Sequence, residues 1–259
     1  MKHTFYKYQG TGNDFVIVDN RNDVFDKKNT KLVATLCDRR FGIGADGLIL
    51  LENHAEVDFK MVYYNSDGNI STMCGNGGRC LVAFAKEIGV IDVEATFLAI
   101  DGFHYAKIEN GIVKLQMQDV LDIDTFKNHV FLDTGSPHHV EMRHNIDAID
   151  IQEEGASIRY GEPYNKEGVN VNFVEKINDN IFSVRTYERG VEGETFSCGT
   201  GVAAVGIAMN ATGKTSNNLI TLQTKGGDLK VSFKQEGIIY KDVWLIGQAK
   251  MVYKGEIEW

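Results

Sequence analysis

The chain contains only two prolines in 259 residues, and no stretch approaches the roughly eighteen apolar residues that a membrane-spanning helix needs. It has no dense basic block either. Its 27 Lys and Arg against 36 Asp and Glu leave a formal charge of −9, which repels a phosphate backbone and argues against nucleic acid as a partner. The opening MKHTFYKYQG alternates polar with aromatic residues and offers no apolar signal core. Cysteine is sparse: Cys37, Cys74, Cys80 and Cys198 are separated by 36, 5 and 117 residues, spacings that fit no zinc finger, ribbon or knuckle and include no C-x-x-C. These absences predict a cytoplasmic protein with reduced thiols, no membrane partner and no metal.

What is present is a soluble, core-forming composition, 43% apolar and 24% charged, in a chain long enough for two ordinary domains. A repeat supports two. MCGNGGRCLVAFAKEIG from Met73 to Gly89 aligns with SCGTGVAAVGIAMNATG from Ser197 to Gly213. Cys74 and Cys198 are 198 − 74 = 124 residues apart, and the same shift places Gly213 on Gly89, where a glycine suits a helix C-cap. Downstream, the stretches from Thr96 and Thr221 read as strand then turn, with Asp101 and Gly102 falling on Lys225 and Gly226 at that shift. Upstream, Thr-Gly recurs at 11 and 134, one register off.

An internal duplication of about 125 residues is the economical reading. Short alternating strands and few prolines predict an α+β fold of two pseudo-symmetric halves, each a mostly antiparallel sheet wrapped around a central helix. The expected boundaries are 1–117, joined by the C-terminal strand 249–259, and 118–248. Further helices are expected over Thr30 to Arg40 and Ile146 to Glu153.

Two glycine motifs carry no phosphate chemistry. GIGADG at 42–47 follows a helical stretch and precedes a strand, the reverse of a dinucleotide site. GKT at 213–215 ends a helix and lacks the upstream glycine of a phosphate loop. The paired Cys-Gly-x-Gly starts are different. A cysteine at a helix N-terminus feels the positive end of the macrodipole, which favours a thiolate, and the first-turn N–H groups suit a carboxylate. A lone cysteine is more often an inert buried residue, but two in matched register form a set. Halves packed about a pseudo-twofold axis would bring both thiols to one cleft. Inverting a stereocentre needs a base on one face and an acid on the other, roles that a thiolate and a thiol exchange with reaction direction. Lowering a thiol pKa from about 8.5 towards 7 corresponds to roughly 2 kcal/mol, within reach of a dipole plus hydrogen bonds. Cys37 and Cys80 read as packing residues.

GTGNDF at the start, MCGNGGRC, ERGVEGET from Glu188 to Thr195 and SCGTG, taken in order across nearly the whole chain, resemble the diaminopimelate epimerase family. The resemblance implies a cofactor-independent isomerase that interconverts LL- and meso-2,6-diaminopimelate in lysine and peptidoglycan-precursor synthesis, with a homodimeric assembly. It casts Cys74 and Cys198 as the acid/base thiols, assisted by Glu188 and His138, and gives the reacting carboxylate to the first turns at Gly75, Asn76, Gly199 and Thr200. Asn13, Asn65, Asn170 and Arg189 match positions that grip the amino-acid ends. Two positions depart from the family pattern: Ser136 stands where G-N-P-H has an amide, and Gly47 where a Gln often follows GAD. Proline and hydroxyproline racemases, which also pair two cysteines, read with His at the place of Asn76 and lack E-R-G-x-x-G-E-T. They remain the alternative enzyme, and a thiol-based redox or binding module without turnover the alternative outside enzymes.

Overall fold

The computed structural model describes residues 1–259, and the chain divides into two compact units, Met1–Leu115 with Gly247–Trp259, and Gln116–Ile246. In the first, strands β1 (Lys2–Gly10) and β2 (Asn13–Asp19) form a hairpin across Thr11 and Gly12, both at positive φ, the turn whose twist suits two antiparallel strands. Then come helix α1 (Thr30–Cys37), β3 (Gly47–Glu52), β4 (Phe59–Asn65), helix α2 (Gly75–Glu87), β5 (Glu94–Ala99), β6 (Gly102–Glu109) and β7 (Ile112–Gln116). Neighbours pair antiparallel except β2 with β3 and β4 with β5, which are parallel because α1 and α2 carry the crossovers. The core strands are covered on both faces. Val16, Val18, Leu48 and Leu50 pack with Val33 and Leu36 of α1, while Phe15 and Ile49 lie against Gly77 of α2. FVIV and LILL are therefore continuous apolar runs rather than alternating ones.

The second unit holds β8 (Ile123–Thr125), β9 (His129–Asp133), β10 (Pro137–Met142), helix α3 (Ile151–Tyr160), β11 (Asn170–Lys176), β12 (Ile181–Glu188), β13 (Gly193–Thr195), helix α4 (Gly199–Ala211), β14 (Leu219–Thr224), β15 (Gly227–Glu236) and β16 (Ile239–Gln248). Its pairings repeat those of the first. Strands β9 to β12, β14, β15 and β16 pair in that order, antiparallel except β10 with β11 and β12 with β14; β13 is a short addition hairpinned onto β12. The last strand, β17 (Lys250–Glu258), belongs to the first unit and lies antiparallel on β1, the place β8 takes beside β9. The class is α+β, with one almost fully buried helix at the centre of each half, α2 and α4.

Local chemistry explains where elements begin and end. Both central helices stop in the same motif: Gly89 and Gly213 adopt φ of 71° and 67°, and the amides of Val90 and Lys214 reach back to the carbonyls of Ala85 and Met209 at 2.8 and 2.9 Å, closing the helix end as a left-handed glycine allows. Three expectations from sequence are corrected. Helix α1 ends at Cys37, not near Arg40, because the Asp38 carboxylate accepts from the amides of Arg40 and Phe41 and turns the chain. The helix expected over 146–153 is a single 3-10 turn at Ile146–Ala148 followed by α3. Arg185 explains the break, since its guanidinium takes the carbonyls of Ile146 and Ile149 at 2.7 and 3.0 Å, and Asp150 then caps a new helix by accepting from the amide of Glu153. Finally, Gly102 corresponds to Gly227 rather than Gly226: these two open β6 and β15 with φ of 128° and 127°, so the repeat gains one residue after the central helix.

Candidate active site

Cys74 and Cys198 are the N-cap residues of α2 and α4, both with extended backbone, and neither helix start has a side-chain cap. The contrast with the peripheral helices is direct, because Asn29 caps α1 and Asp150 caps α3. A helix cannot pair its own first-turn amides, and here the N-cap side chain does not serve them either, so each cysteine stands at the positive end of its helix dipole, about half an elementary charge, without acting as its cap. The second glycine of each motif answers to packing. A Cβ at Gly77 would lie 3.2 Å from Ile49 and 3.4 Å from Phe15, and one at Gly201 would lie 2.5 Å from the Asn172 amide oxygen.

In the first unit, Asn13 at the start of β2 faces both Cys74 and Asn76. Its Oδ1 is 3.5 Å from Cys74 Sγ and accepts from Asn76 Nδ2 at 3.4 Å, while its Nδ2 donates to Asp46 at 2.6 Å. Asp46 and Asp14 share Arg39, which meets Asp14 with both terminal nitrogens, and Lys7 pairs with Asp14 at 2.6 Å and bonds the Gly44 carbonyl. Burial opposes ionisation of Asp14, but the hydrogen bonds from Arg39 and Lys7 outweigh it and hold the carboxyl down at about 2.

Arg79 was not singled out by sequence reasoning. It is fully buried on α2 and donates to Thr11 Oγ1 at 2.7 Å, Asn76 Oδ1 at 3.0 Å and the Gly75 carbonyl at 3.3 Å. It thereby ties the helix start to the hairpin, where Thr11 is held at φ 56°, a conformation that costs a β-branched residue roughly 1–3 kcal/mol. The signal was present as one long cation inside an otherwise apolar helical run.

In the second unit, His138 on β10 is fully buried, and its ring nitrogens meet Ser136 Oγ at 3.0 Å and Asn172 Nδ2 at 3.1 Å. Ser136 Oγ lies 3.1 Å from Thr200 Oγ1, which lies 3.4 Å from Cys198 Sγ. Asn170 donates to Ser136 Oγ at 3.2 Å and accepts the amide of Arg189 at 2.9 Å. His138, Asn170, Cys198 and Thr200 are thus gathered in one network with Ser136 and Asn172, and Gly199 is the first residue of the helix that Cys198 precedes. Asn172 was missed, although Asn170 and Asn172 alternate through the apolar run of β11 and so lie on one face. Glu188 is the half-buried last residue of β12, and the Arg189 guanidinium reaches the Glu167 carbonyl at 2.9 Å. Asn65, exposed at the end of β4, makes backbone bonds with Asn69 and Gly68 outside the Asn13 network. Gly47 has its own reason: a Cβ there would lie 2.5 Å from the Tyr63 ring.

Burial, seconded by the Arg189 charge, pushes His138 from 6.5 down to about 3, so the ring is neutral at working pH. The unfolded chain binds a proton at this histidine below about 6.5 that the fold refuses until about 3. Its contribution to stability is therefore full above pH 6.5 and is lost progressively as pH falls towards 3. Urea unfolding midpoints are expected to drop between pH 7 and pH 5, and His138→Gln to flatten that part of the pH dependence. Cys37 and Cys80 are both buried, which pushes each thiol up to about 12. No group of three or more His, Cys, Asp or Glu side chains is arranged to hold a metal ion, and no helix is long and apolar enough to cross a membrane.

Comparison with known proteins gives one consistent result. A family model described as diaminopimelate epimerase matches residues 5–119 and 130–252. The diaminopimelate epimerase of Flavobacterium psychrophilum is 59% identical over 253 residues, covering 97% of this chain and 99% of that protein. That of Chlorobaculum tepidum is 40% identical over 258 residues, covering 96% and 98%. Among solved structures, a phenazine biosynthesis protein of the PhzF family from Bacillus anthracis aligns over 100% of both chains with a TM-score of 0.79 at 13% identity. A hydroxyproline epimerase from Agrobacterium vitis aligns over 99% of this chain and 92% of its own with a TM-score of 0.66, also at 13% identity. These two share the fold.

Proposed function

The chain belongs to the diaminopimelate epimerase family, and from that premise we propose a two-base reaction in which Cys74 and Cys198 exchange the roles of acid and base on one substrate. The chain is an isomerase that epimerises diaminopimelate between its LL and meso forms. The observation that supports the thiol mechanism is the pair of matched helix starts: two cysteines, 124 residues apart in equivalent positions of a duplicated fold, each the N-cap residue of a buried helix that its own side chain does not cap. In this reading the thiolate takes the α-proton from one face while the opposing thiol delivers a proton to the other, leaving the two sulfurs with exchanged protonation. The amides of Gly75, Asn76, Gly199 and Thr200 hold the reacting carboxylate and stabilise the charge that grows on it as the α-carbon is deprotonated. Asn13 and Asn170 contact the substrate from beside each thiol, Asn65 and Arg189 grip its distal end, and Glu188 supports the pair. The protein works without a metal or organic cofactor and as a homodimer, features that rest on the family resemblance, and in the cytoplasm, a reading that rests on its sequence composition.

The test is incubation of LL-diaminopimelate with the protein in D2O under reducing conditions, followed by NMR. Meso product with deuterium at the α-carbon is expected, with no exchange of L-proline. Exchange of proline but not of diaminopimelate would point to the racemase alternative, and exchange of neither to a protein without turnover.

A further inference from the structure

We propose that Ser136 is a positioning residue that makes Cys198 the more acidic thiol of the pair, by passing the polarity of the buried Asn172–His138 contact through Thr200 to the sulfur. The proposal rests on the thiol-pair reading above, and it concerns a position where this chain departs from the family's usual amide.

Donor and acceptor accounting fixes the direction. Asn172 Nδ2 donates to the His139 carbonyl at 3.1 Å, and Asn172 Oδ1 accepts from the Thr186 hydroxyl at 3.0 Å. A carbonyl only accepts, so the NH2 group is on the His138 side and its second hydrogen points at His138 Nδ1. A neutral imidazole that accepts at Nδ1 carries its proton on Nε2, and that N–H donates to Ser136 Oγ. Asn170 is oriented as firmly, because its Nδ2 donates to the Pro137 carbonyl and its Oδ1 accepts the Arg189 amide, so its remaining hydrogen also points at Ser136 Oγ. With both lone pairs of Ser136 Oγ taken, its own hydrogen goes to Thr200 Oγ1. Thr200 then has its hydrogen left for Cys198 Sγ. The sulfur receives a donated hydrogen bond, which favours the thiolate.

The first unit has the opposite polarity. Asn13 Nδ2 donates to the Asp46 carboxylate and Asn76 is oriented by Arg79, so Asn13 presents its oxygen to Cys74 Sγ. That contact is favourable only while the sulfur is protonated. Charged groups stand on both sides. Arg79, Arg39 and Lys7 with Asp14 and Asp46 surround the first network, and Glu188 and Arg189 flank the second. Each half thus contains an arginine, and the two sulfurs differ in the sense of a hydrogen bond: Thr200 donates to Cys198 Sγ, whereas Cys74 Sγ faces an acceptor, Asn13 Oδ1. In the free protein Cys198 is the thiolate and Cys74 the thiol.

The test is iodoacetamide alkylation of each cysteine as a function of pH, read by peptide mass spectrometry, which needs no turnover and so stands or falls separately from the activity of cysteine variants. Cys198 is expected to have the lower midpoint. Ser136→Ala is expected to raise it by about one pH unit, cutting its alkylation at pH 7 by about tenfold, without moving Cys74. Ser136→Thr should restore the parent value, and Thr200→Val, which removes the last donor, should reproduce the Ser136→Ala shift even if that variant folds poorly. A parent midpoint for Cys198 at or above that of Cys74, an unchanged Cys198 in either deletion variant, or equal shifts in both cysteines would overturn the proposal.

Discussion

Cys74→Ala and Cys198→Ala are each expected to lose epimerisation by about 10²- to 10⁴-fold, the usual contribution of a positioned acid or base, with little change in thermal stability. The activity loss follows from the division of labour: in either direction one sulfur must remove a proton and the other must supply one, so neither variant keeps a complete pair. Stability changes little because neither cysteine caps its helix through its side chain, and Cys74 and Cys198 keep some exposure where Cys80 is fully enclosed. Cys37 and Cys80 supply controls. Both are buried with thiols pushed up to about 12, so Cys80→Ala is expected to keep most of the activity while losing some stability to the space it leaves. Steady-state rates with both isomers, alongside melting curves of all variants, check the whole set.

Gly201→Ala is expected to damage function strongly. An added Cβ would lie 2.5 Å from the Asn172 oxygen and 3.3 Å from both Cys198 Cβ and His138 Cε1, and none of these can yield cheaply. Asn172 is held by Thr186 and the His139 carbonyl, and His138 is fully buried. Overpacking of this kind costs about 1–3 kcal/mol, and displacing Asn172 adds broken hydrogen bonds at about 1–3 kcal/mol for each buried group left unsatisfied. The same methyl at Gly77, the equivalent position in the first unit, meets the end of the Ile49 side chain at 3.2 Å and the Phe15 ring at 3.4 Å. Ile49 can shift by a few tenths of an ångström, so Gly77→Ala is expected to cost far less in both urea midpoint and rate. Equal effects at the two glycines would contradict this reading of the C-G-x-G motif.

How much of this was readable beforehand depended on whether a residue's meaning is local. The paired cysteine-glycine starts and the C-terminal glycines at 89 and 213 could be read directly, because helix ends are dictated by a few neighbouring residues and the duplication printed each signal twice. The α+β class followed from strand periodicity. The break before α3 could not be read, since it depends on Arg185 reaching back across 39 and 36 residues to two carbonyls. Arg79 and Asn172 were missed for the same reason. A cation in a buried helix and an amide in an apolar strand declare that something polar is buried, but their distant partners, Thr11 in one case and His138 and Thr186 in the other, are chosen by the tertiary fold. Ser136 could be read only as a departure from the family pattern, because of the three polar side chains that meet at its hydroxyl, His138, Thr200 and Asn170, the last two come from distant parts of the chain.

The claim that two thiols act from opposite faces is tested most directly by where deuterium appears at low conversion of LL-diaminopimelate in D2O. Two bases that exchange protons with solvent only between turnovers predict deuterium at the inverted carbon of the meso product and protium in the LL substrate that is recovered. A meso product that retains the original protium, or recovered LL substrate labelled as fast as product forms, would mean that one group handles both faces, and the two-thiol account would be wrong.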